Sequence, residues 1–187
     1  MDAASRYDRT AAPLTKVCDS LAADDWGRPS PCAGWSATDV LSHVIETQRD
    51  FLIRQGVELP LETPSIEQEG PALAWRIHAE TVARQLIDPR VGEMEIDGAF
   101  GPTTVSATMA DFYGFDMIVH RWDIARAAGQ HVTFTDDELA SLEASLAQFG
   151  DHLYADGICA PPVAVPEGAS RQDQVLGRLG RDPRWTA

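Results

Sequence analysis

Basic residues are scarce in this 187-residue chain, and their scarcity excludes whole classes of partner. There are 15 lysines and arginines against 29 aspartates and glutamates, which gives a formal net charge of −14. Nucleic acids and acidic membrane surfaces are themselves polyanionic, so they repel such a protein. We therefore expect no nucleic-acid partner and no membrane partner.

Cysteine and long apolar runs are also sparse. Cys18, Cys32 and Cys159 form an odd set without C-x-x-C spacing, so the sequence encodes neither a disulfide framework nor a zinc knuckle. No apolar run approaches the roughly 20 residues that span a bilayer. The N-terminus lacks the basic-then-apolar layout of a signal peptide. We expect a cytoplasmic protein with reduced thiols.

The chain does have the composition of an ordinary globular domain. Hydrophobic residues make up 44% and charged residues 24%, which is far from the composition of disordered chains. A length of 187 residues suits one domain with a substantial core and is short for two. We therefore treat residues 1–187 as a single domain.

Apolar residues at spacings of three and four predict an all-α fold. The predicted helices cover residues 5–22, 37–51, 72–87, 106–128 and 136–154, with a short one at 173–179. Ser36 and Thr135 stand three residues before an acid, as in a capping box, and mark two helix starts. Residues 93–105 contain the turn-forming pair Asp97-Gly98 and predict a small β-hairpin. The residues after 160 are expected to form a packed tail.

Asp116 and His120 stand four residues apart in the longest helical pattern, so their side chains share one face about 6 Å apart at Cβ. Phe112 and Tyr113 share that face, which is therefore largely directed at the core. His43 interrupts an apolar stripe of the second helix in the same way. Two imidazoles and one carboxylate suit zinc, nickel or iron and leave a coordination position open. The sequence therefore predicts a divalent-metal site made of His43, Asp116 and His120.

Other interpretations of these residues stay open. An aspartate and a histidine four residues apart also occur by chance, and a core histidine satisfied by hydrogen bonds needs no metal. Asp123 is either an acceptor for a ring N–H of His120 or a salt-bridge partner. His78, His131 and His152 are expected at the surface. No catalytic acid or base stands out.

Three stretches of the chain resemble the DinB-like proteins, in the actinobacterial branch related to mycothiol-dependent maleylpyruvate isomerase. They are PSPCAGWSATDVLSHVIE at residues 29–46, DFYGFDMIVHRWDIARAAG at 111–129 and GRDP at 180–183. The resemblance implies a four-helix bundle with an up-down-down-up course, here with a hairpin excursion and a packed C-terminal tail. It also implies that His43, Asp116 and His120 hold a metal. The isomerase has Glu where this chain has Asp116, a departure that shifts the carboxylate by one methylene.

The function implied by the resemblance is that of a metal-dependent thiol transferase or isomerase. Zinc is the first choice of metal, with nickel or iron as alternatives. Mycothiol is the implied low-molecular-weight thiol, acting on a small-molecule substrate. The rival interpretation is a non-catalytic metal-holding module that binds a small ligand, such as a sensor or stress-response protein. A site that has lost its metal, and homodimerisation through a helix face, are both left open.

Overall fold

The computed structural model describes residues 2–59, 65–155 and 158–187 of the chain, which is mostly helical with one antiparallel hairpin. In chain order the elements are α1 (Ala3–Ser20), a 3-10 turn (Ala23–Asp25), α2 (Ala37–Arg54), α3 (Ile66–Glu69), α4 (Pro71–Ile87), α5 (Pro89–Gly92), β1 (Glu95–Gly98), β2 (Gly101–Thr104), α6 (Val105–Ala127), α7 (Asp136–Phe149), a second 3-10 turn (Gly150–Tyr154) and α8 (Arg171–Arg178). Each predicted helix is present. The predicted surface connection at 56–71 falls partly outside the described residues.

Two capping boxes fix the starts of α2 and α7. The Ser36 hydroxyl accepts the backbone N–H of Asp39 at 3.2 Å, and the Asp39 carboxylate accepts the N–H of Ser36 at 2.8 Å. Thr135 and Glu138 exchange the same pair of bonds at 3.2 and 2.8 Å. Both predicted boxes are confirmed. Because the first box sets where α2 begins, it also sets the helix face on which His43 stands.

The hairpin is present, but its turn lies two residues later than predicted. Asp97 pairs with Pro102 inside the ladder, and residues 99–100 form the loop between Gly98 and Gly101. Gly101 has a φ of 112°, a conformation that suits glycine and that ordinary side chains rarely adopt. Gly101, and not the Asp97-Gly98 pair, therefore determines where the chain reverses.

The second half of α6 is buried on all sides. Every residue from Met117 to Ala127 is buried. Met117 and Ile124 belong to a hydrophobic cluster shared with α1, α2 and α4, whereas Ile118 and Trp122 belong to a second cluster shared with α7 and α8. A helix between two cores has no solvent face for its charged residues, so each of them needs a partner. Among the described helices, none combines the length and apolarity that crossing a membrane requires.

Two predictions about which side chains face the core are wrong. Phe112, placed on the core face of its helix, is 42% exposed, and His78, placed at the surface, is 2% exposed. In α4 the more apolar Leu73 and Ile77 are the exposed residues. The face that points inward contains Trp75, Val82 and Leu86 beside His78, and Gln48 of α2 satisfies the buried ring with a hydrogen bond.

Candidate metal centre

Helices α2 and α6 bring the three predicted ligands together. His43 Nε2 lies 3.8 Å from Asp116 Oδ2, and His120 Nε2 lies 3.3 Å from Asp116 Oδ1. One ligand atom from each residue falls within 4.8 Å of the other two. The two imidazole rings meet edge to face, with centroids 5.3 Å apart. The three residues predicted from the sequence thus lie together and form a compact cluster of nitrogen and oxygen donors.

The separations in this trio leave room for a metal ion. Ligand atoms at about 2.0–2.1 Å from a tetrahedral ion lie roughly 3.3 Å from one another. A charge-assisted hydrogen bond between nitrogen and carboxylate is shorter, about 2.7–2.9 Å. The distances of 3.3 and 3.8 Å are therefore too long for tight ion pairs and fit donors that share one cation. The residues present fit a zinc, nickel or iron ion.

The other nitrogen of His120 is held by a second carboxylate. His120 Nδ1 lies 2.8 Å from Asp123 Oδ2, and the Asp123 side chain is fully buried. When Nδ1 carries the proton for this bond, the lone pair of Nε2 points at Asp116. Two acceptors then face each other, so a cation or a second proton must lie between them.

Asp123 has two further partners that lie far away in the sequence. Arg181, in the tail after α8, donates to both carboxylate oxygens at 2.8 and 3.3 Å. The Cys32 thiol donates to the same carboxylate at 3.2 Å and lies 3.4 Å from the Arg181 guanidinium. Asp123 is thus both the ring acceptor and the salt-bridge partner that the sequence left as alternatives.

Cys32 and Arg181 are site residues that sequence periodicity does not reveal. Nothing in the helical pattern links positions 32 and 181 to position 123, since the first lies in a loop and the second in the tail. The available signal was their place in the resembling stretches at residues 29–46 and 180–183.

Cys32, His120 and Asp123 form a second group with the geometry of metal ligands. Here the separation between His120 Nδ1 and Asp123 Oδ2 is 2.8 Å, the length of a hydrogen bond. The Arg181 guanidinium already supplies a positive charge to this carboxylate. We therefore interpret this group as a hydrogen-bonded support, and the trio on the Nε2 side remains the candidate metal site.

Charges within the site keep its carboxylates ionised. Burial raises the pKa of Asp116, but the positive charge of His120, with help from His43 and Arg181, outweighs burial and leaves that pKa below its usual value. Burial likewise opposes ionisation of Asp123, and Arg181 and His120 still hold its pKa well below normal. Burial lowers the pKa of His120, yet the surrounding carboxylates raise it above the ordinary value. Burial is the main cause of a lowered pKa at His43.

The site opens to solvent on the side of His43. The side chains of His43, Asp116 and His120 are 34%, 23% and 7% exposed, so accessibility increases from α6 towards α2. Trp35 is 38% exposed and lies beside His43, with the two ring centroids 5.1 Å apart, whereas Trp26 belongs to the core. Solvent therefore reaches the trio at His43, next to Trp35.

The remaining histidines have separate surroundings. His131 and His152 are exposed, as predicted. His78 donates from Nε2 to Gln48 Oε1 at 3.0 Å, and the Tyr7 hydroxyl donates to the same oxygen at 2.9 Å. Burial lowers the pKa of His78 to about 3, so the ring is neutral. These three histidines take no part in the metal trio.

Comparison with known proteins assigns the chain to a family. Residues 7–125 match the family described as mycothiol maleylpyruvate isomerase N-terminal domain, and the chain belongs to that family. Two curated relatives, both described only as uncharacterized proteins, come from Mycobacterium tuberculosis strains CDC 1551 and H37Rv. Each is 27% identical over 193 residues, covering 98% of this chain and 100% of the relative. No solved structure matches the chain significantly. His43, Asp116 and His120 lie inside the matched region, and Arg181 lies beyond it.

Proposed function

We propose that this protein is a divalent-metal-dependent enzyme that uses a thiol of the mycothiol type, as an S-transferase or an isomerase. The observation that carries the proposal is the orientation of His120, whose Nδ1 is held by Asp123 while Nε2 faces Asp116 beside His43. Membership of a family described by a mycothiol-dependent isomerase supports the choice of thiol.

In this proposal His43, Asp116 and His120 hold the ion, with zinc as the first choice and nickel or iron as alternatives. A divalent ion bound there would lower the pKa of a thiol and so supply a thiolate near neutral pH. Asp123 fixes the orientation of the His120 ring, and Arg181 holds Asp123 in place. The exposed side of His43 admits the thiol.

The proposed reaction is addition of the thiol to an electron-poor double bond. The thiol gives up its proton, a sulfur–carbon bond forms at one alkene carbon, and the neighbouring carbon takes up a proton. In a transferase this thioether is the product. In an isomerase, the former double bond is now a single bond, about which the adduct rotates. Loss of the added proton and expulsion of the sulfur then return the rearranged alkene and the thiol. Neither course needs an oxidant.

We also infer that α1, α2, α4 and α6 form a four-helix bundle with an up-down-down-up course. The contacts of α1 with α4 and α6, and of α2 with the same two helices, support this arrangement. Metal sites in such bundles are built from inward-facing side chains on neighbouring helices, as the trio is on α2 and α6. An experimental structure with a different helix order would overturn it.

The test of the proposed function is adduct formation from mycothiol and a panel of unsaturated electrophiles. Protein loaded with zinc should convert thiol and electrophile into a thioether, or isomerise the electrophile, as followed by mass spectrometry. The His120→Ala variant should lose this turnover, and His152→Ala, at an exposed histidine outside the trio, should keep it. If the panel gives no product but ligands raise the melting temperature, the non-catalytic binding module is correct instead.

A further inference from the structure

A cavity of about 500 Å³ lies between the hairpin, the end of α2, the first half of α6 and the end of α7. This volume is within the usual range for sites that bind small organic molecules. Aromatic rings form much of its lining, and they come from all four walls. The rings belong to Phe51, Phe100, Phe112, Tyr113 and Phe149.

These rings contact one another, and two of them remain open to solvent. Phe100 meets Phe149 at 5.2 Å between centroids, and Tyr113 meets Phe112 at 5.2 Å and Phe51 at 5.3 Å. Phe100 is nevertheless 51% exposed and Phe112 is 42% exposed. Exposed aromatic rings around a concave surface are typical of a binding site. A flat ligand that packed on Phe100 and Phe112 would remove both rings from water.

One positive charge lies among these rings. Arg54 is the only cation lining the described cavity, which also has Asp97 and Asp111 on its walls. Asp111 is paired with Arg6, and Asp97 is exposed on the hairpin. Within residues 2–59, 65–155 and 158–187 no ion pair joins Arg54 to a carboxylate.

Arg54 also lies beside the hydroxyl of Tyr113. Burial raises the pKa of Tyr113 to about 12, and the charge of the nearby Arg54 acts against this rise. Arg54 thus stands at the edge of the aromatic lining beside a tyrosine hydroxyl, where its guanidinium can bind an anionic group that a ligand carries.

The cavity lies on the same helix faces as the metal trio. Arg54 follows His43 by 11 positions, about three turns or roughly 16 Å along α2. Tyr113 precedes Asp116 by one turn on α6, and its ring contacts Phe51 of α2. A ligand in the cavity is thus separated from the trio by Tyr113.

We propose that this cavity binds a compact planar organic acid, aromatic or conjugated, whose flat body packs on Phe100 and Phe112 and whose carboxylate pairs with Arg54. This cavity is separate from the trio, so the inference goes beyond the proposed function. Its binding does not depend on a metal.

The test uses three probes with one ring system and different charges. Calorimetric titrations of chelator-treated protein with 1-naphthoate, 1-naphthol and 1-naphthylmethylammonium should show tightest binding of the carboxylate. Arg54→Gln should weaken 1-naphthoate at least about tenfold and leave 1-naphthol unchanged, since it removes only the charged contact. Phe112→Ala should weaken both. Arg90→Gln, which removes an exposed arginine of α5 that does not line the cavity, is the matched control.

Three results would overturn the inference. The first is binding of the ammonium probe as tight as that of the carboxylate, and the second is insensitivity of 1-naphthoate binding to Arg54→Gln. The third is no binding of any probe to protein shown by circular dichroism to be folded. Naphthoate binding to a protein that takes up no metal would support the cavity and sink the proposed function. Metal-dependent thiol transfer without naphthoate binding would do the reverse.

Discussion

Two buried histidines in this protein have opposite surroundings. His78 lies in a neutral region, formed with Tyr7 and Gln48, where burial lowers its pKa to about 3. His120 lies in a charged region, formed with His43, Asp116, Asp123 and Arg181, where carboxylates raise its pKa despite burial. The burial of the two rings is similar, so the difference comes from the ionised groups around them.

The charged region contains ionised groups that the neutral region lacks. Asp116 and Asp123 contribute two negative charges, and Arg181 contributes one positive charge. A protonated His120 or a bound cation supplies the second positive charge. Burying such a group of charges is costly where helices only need to pack, so we expect function in the charged region and packing in the neutral one.

The largest expected effect is that of breaking the buried ion pair in the charged region. Asp123→Asn leaves the Arg181 charge without its partner and should lower the free energy of unfolding by about 3–5 kcal/mol. Urea denaturation in the presence of a chelator measures this loss without a metal contribution. The matched control is Asp111→Asn, which breaks the exposed pair with Arg6 and should cost less than about 1 kcal/mol. Equal losses in the two variants would show that the buried Asp123–Arg181 pair contributes no more than an exposed ion pair.

The next effect concerns the side chains that orient His120, a proposed metal ligand. Arg181→Gln removes the fork that holds Asp123, so the His120 ring becomes less well oriented and metal affinity should fall about 10-fold to 100-fold. Competition titration with zinc, together with the visible spectrum of the cobalt-substituted protein, measures the change. Arg181→Lys keeps the charge without the fork and should lie between the two. An unchanged affinity in both variants would show that the tail is independent of the site.

The neutral region should reveal itself in the pH dependence of stability. Below pH 6.5, the ordinary value for histidine, the unfolded chain binds a proton at His78 that the folded protein, with its pKa of about 3, does not bind. Stability is therefore complete above that pH and falls as the pH drops towards 3. Between pH 7 and pH 5 the loss from this residue should be about 2 kcal/mol.

His78→Gln should remove this part of the pH dependence, as followed by urea denaturation across that range. His131→Gln, at an exposed position, should leave the dependence as it is. If the wild type and the His78 variant lose stability in parallel, the ring is not kept neutral by burial.

The smallest effect is that of a single hydrogen bond in the neutral region. Tyr7→Phe removes the hydroxyl that donates to Gln48 Oε1, while His78 still satisfies that oxygen. We expect a loss of about 1 kcal/mol in the free energy of unfolding. A loss above about 3 kcal/mol would mean that the hydroxyl holds together more of the neutral region than this one bond.

Local chemistry is the part of the fold that could be read from the sequence. The capping box at Ser36 and the one at Thr135 act within one helical turn, so the starts of α2 and α7 were predicted correctly. The four-residue spacing of Asp116 and His120 is also local, and the two residues do share a face. The hairpin was predicted as well, but its turn lies before Gly101, two residues later than predicted.

Tertiary contacts explain what the sequence did not show. His78 was expected at the surface because its buried partner, Gln48, belongs to another helix. Cys32 and Arg181 converge on Asp123 from a loop and from the tail, and no periodicity connects such positions. The aromatic cavity is formed by four elements, so no single stretch of sequence contains its signal.

Elemental analysis of the purified, untagged protein shows whether the charged region holds a metal ion. If it does, the wild type and the His78→Gln control should contain about one zinc, nickel or iron per chain, and His120→Ala and Asp116→Ala almost none. No metal in the wild type, even after reconstitution, or equal metal in all four proteins, would contradict this account.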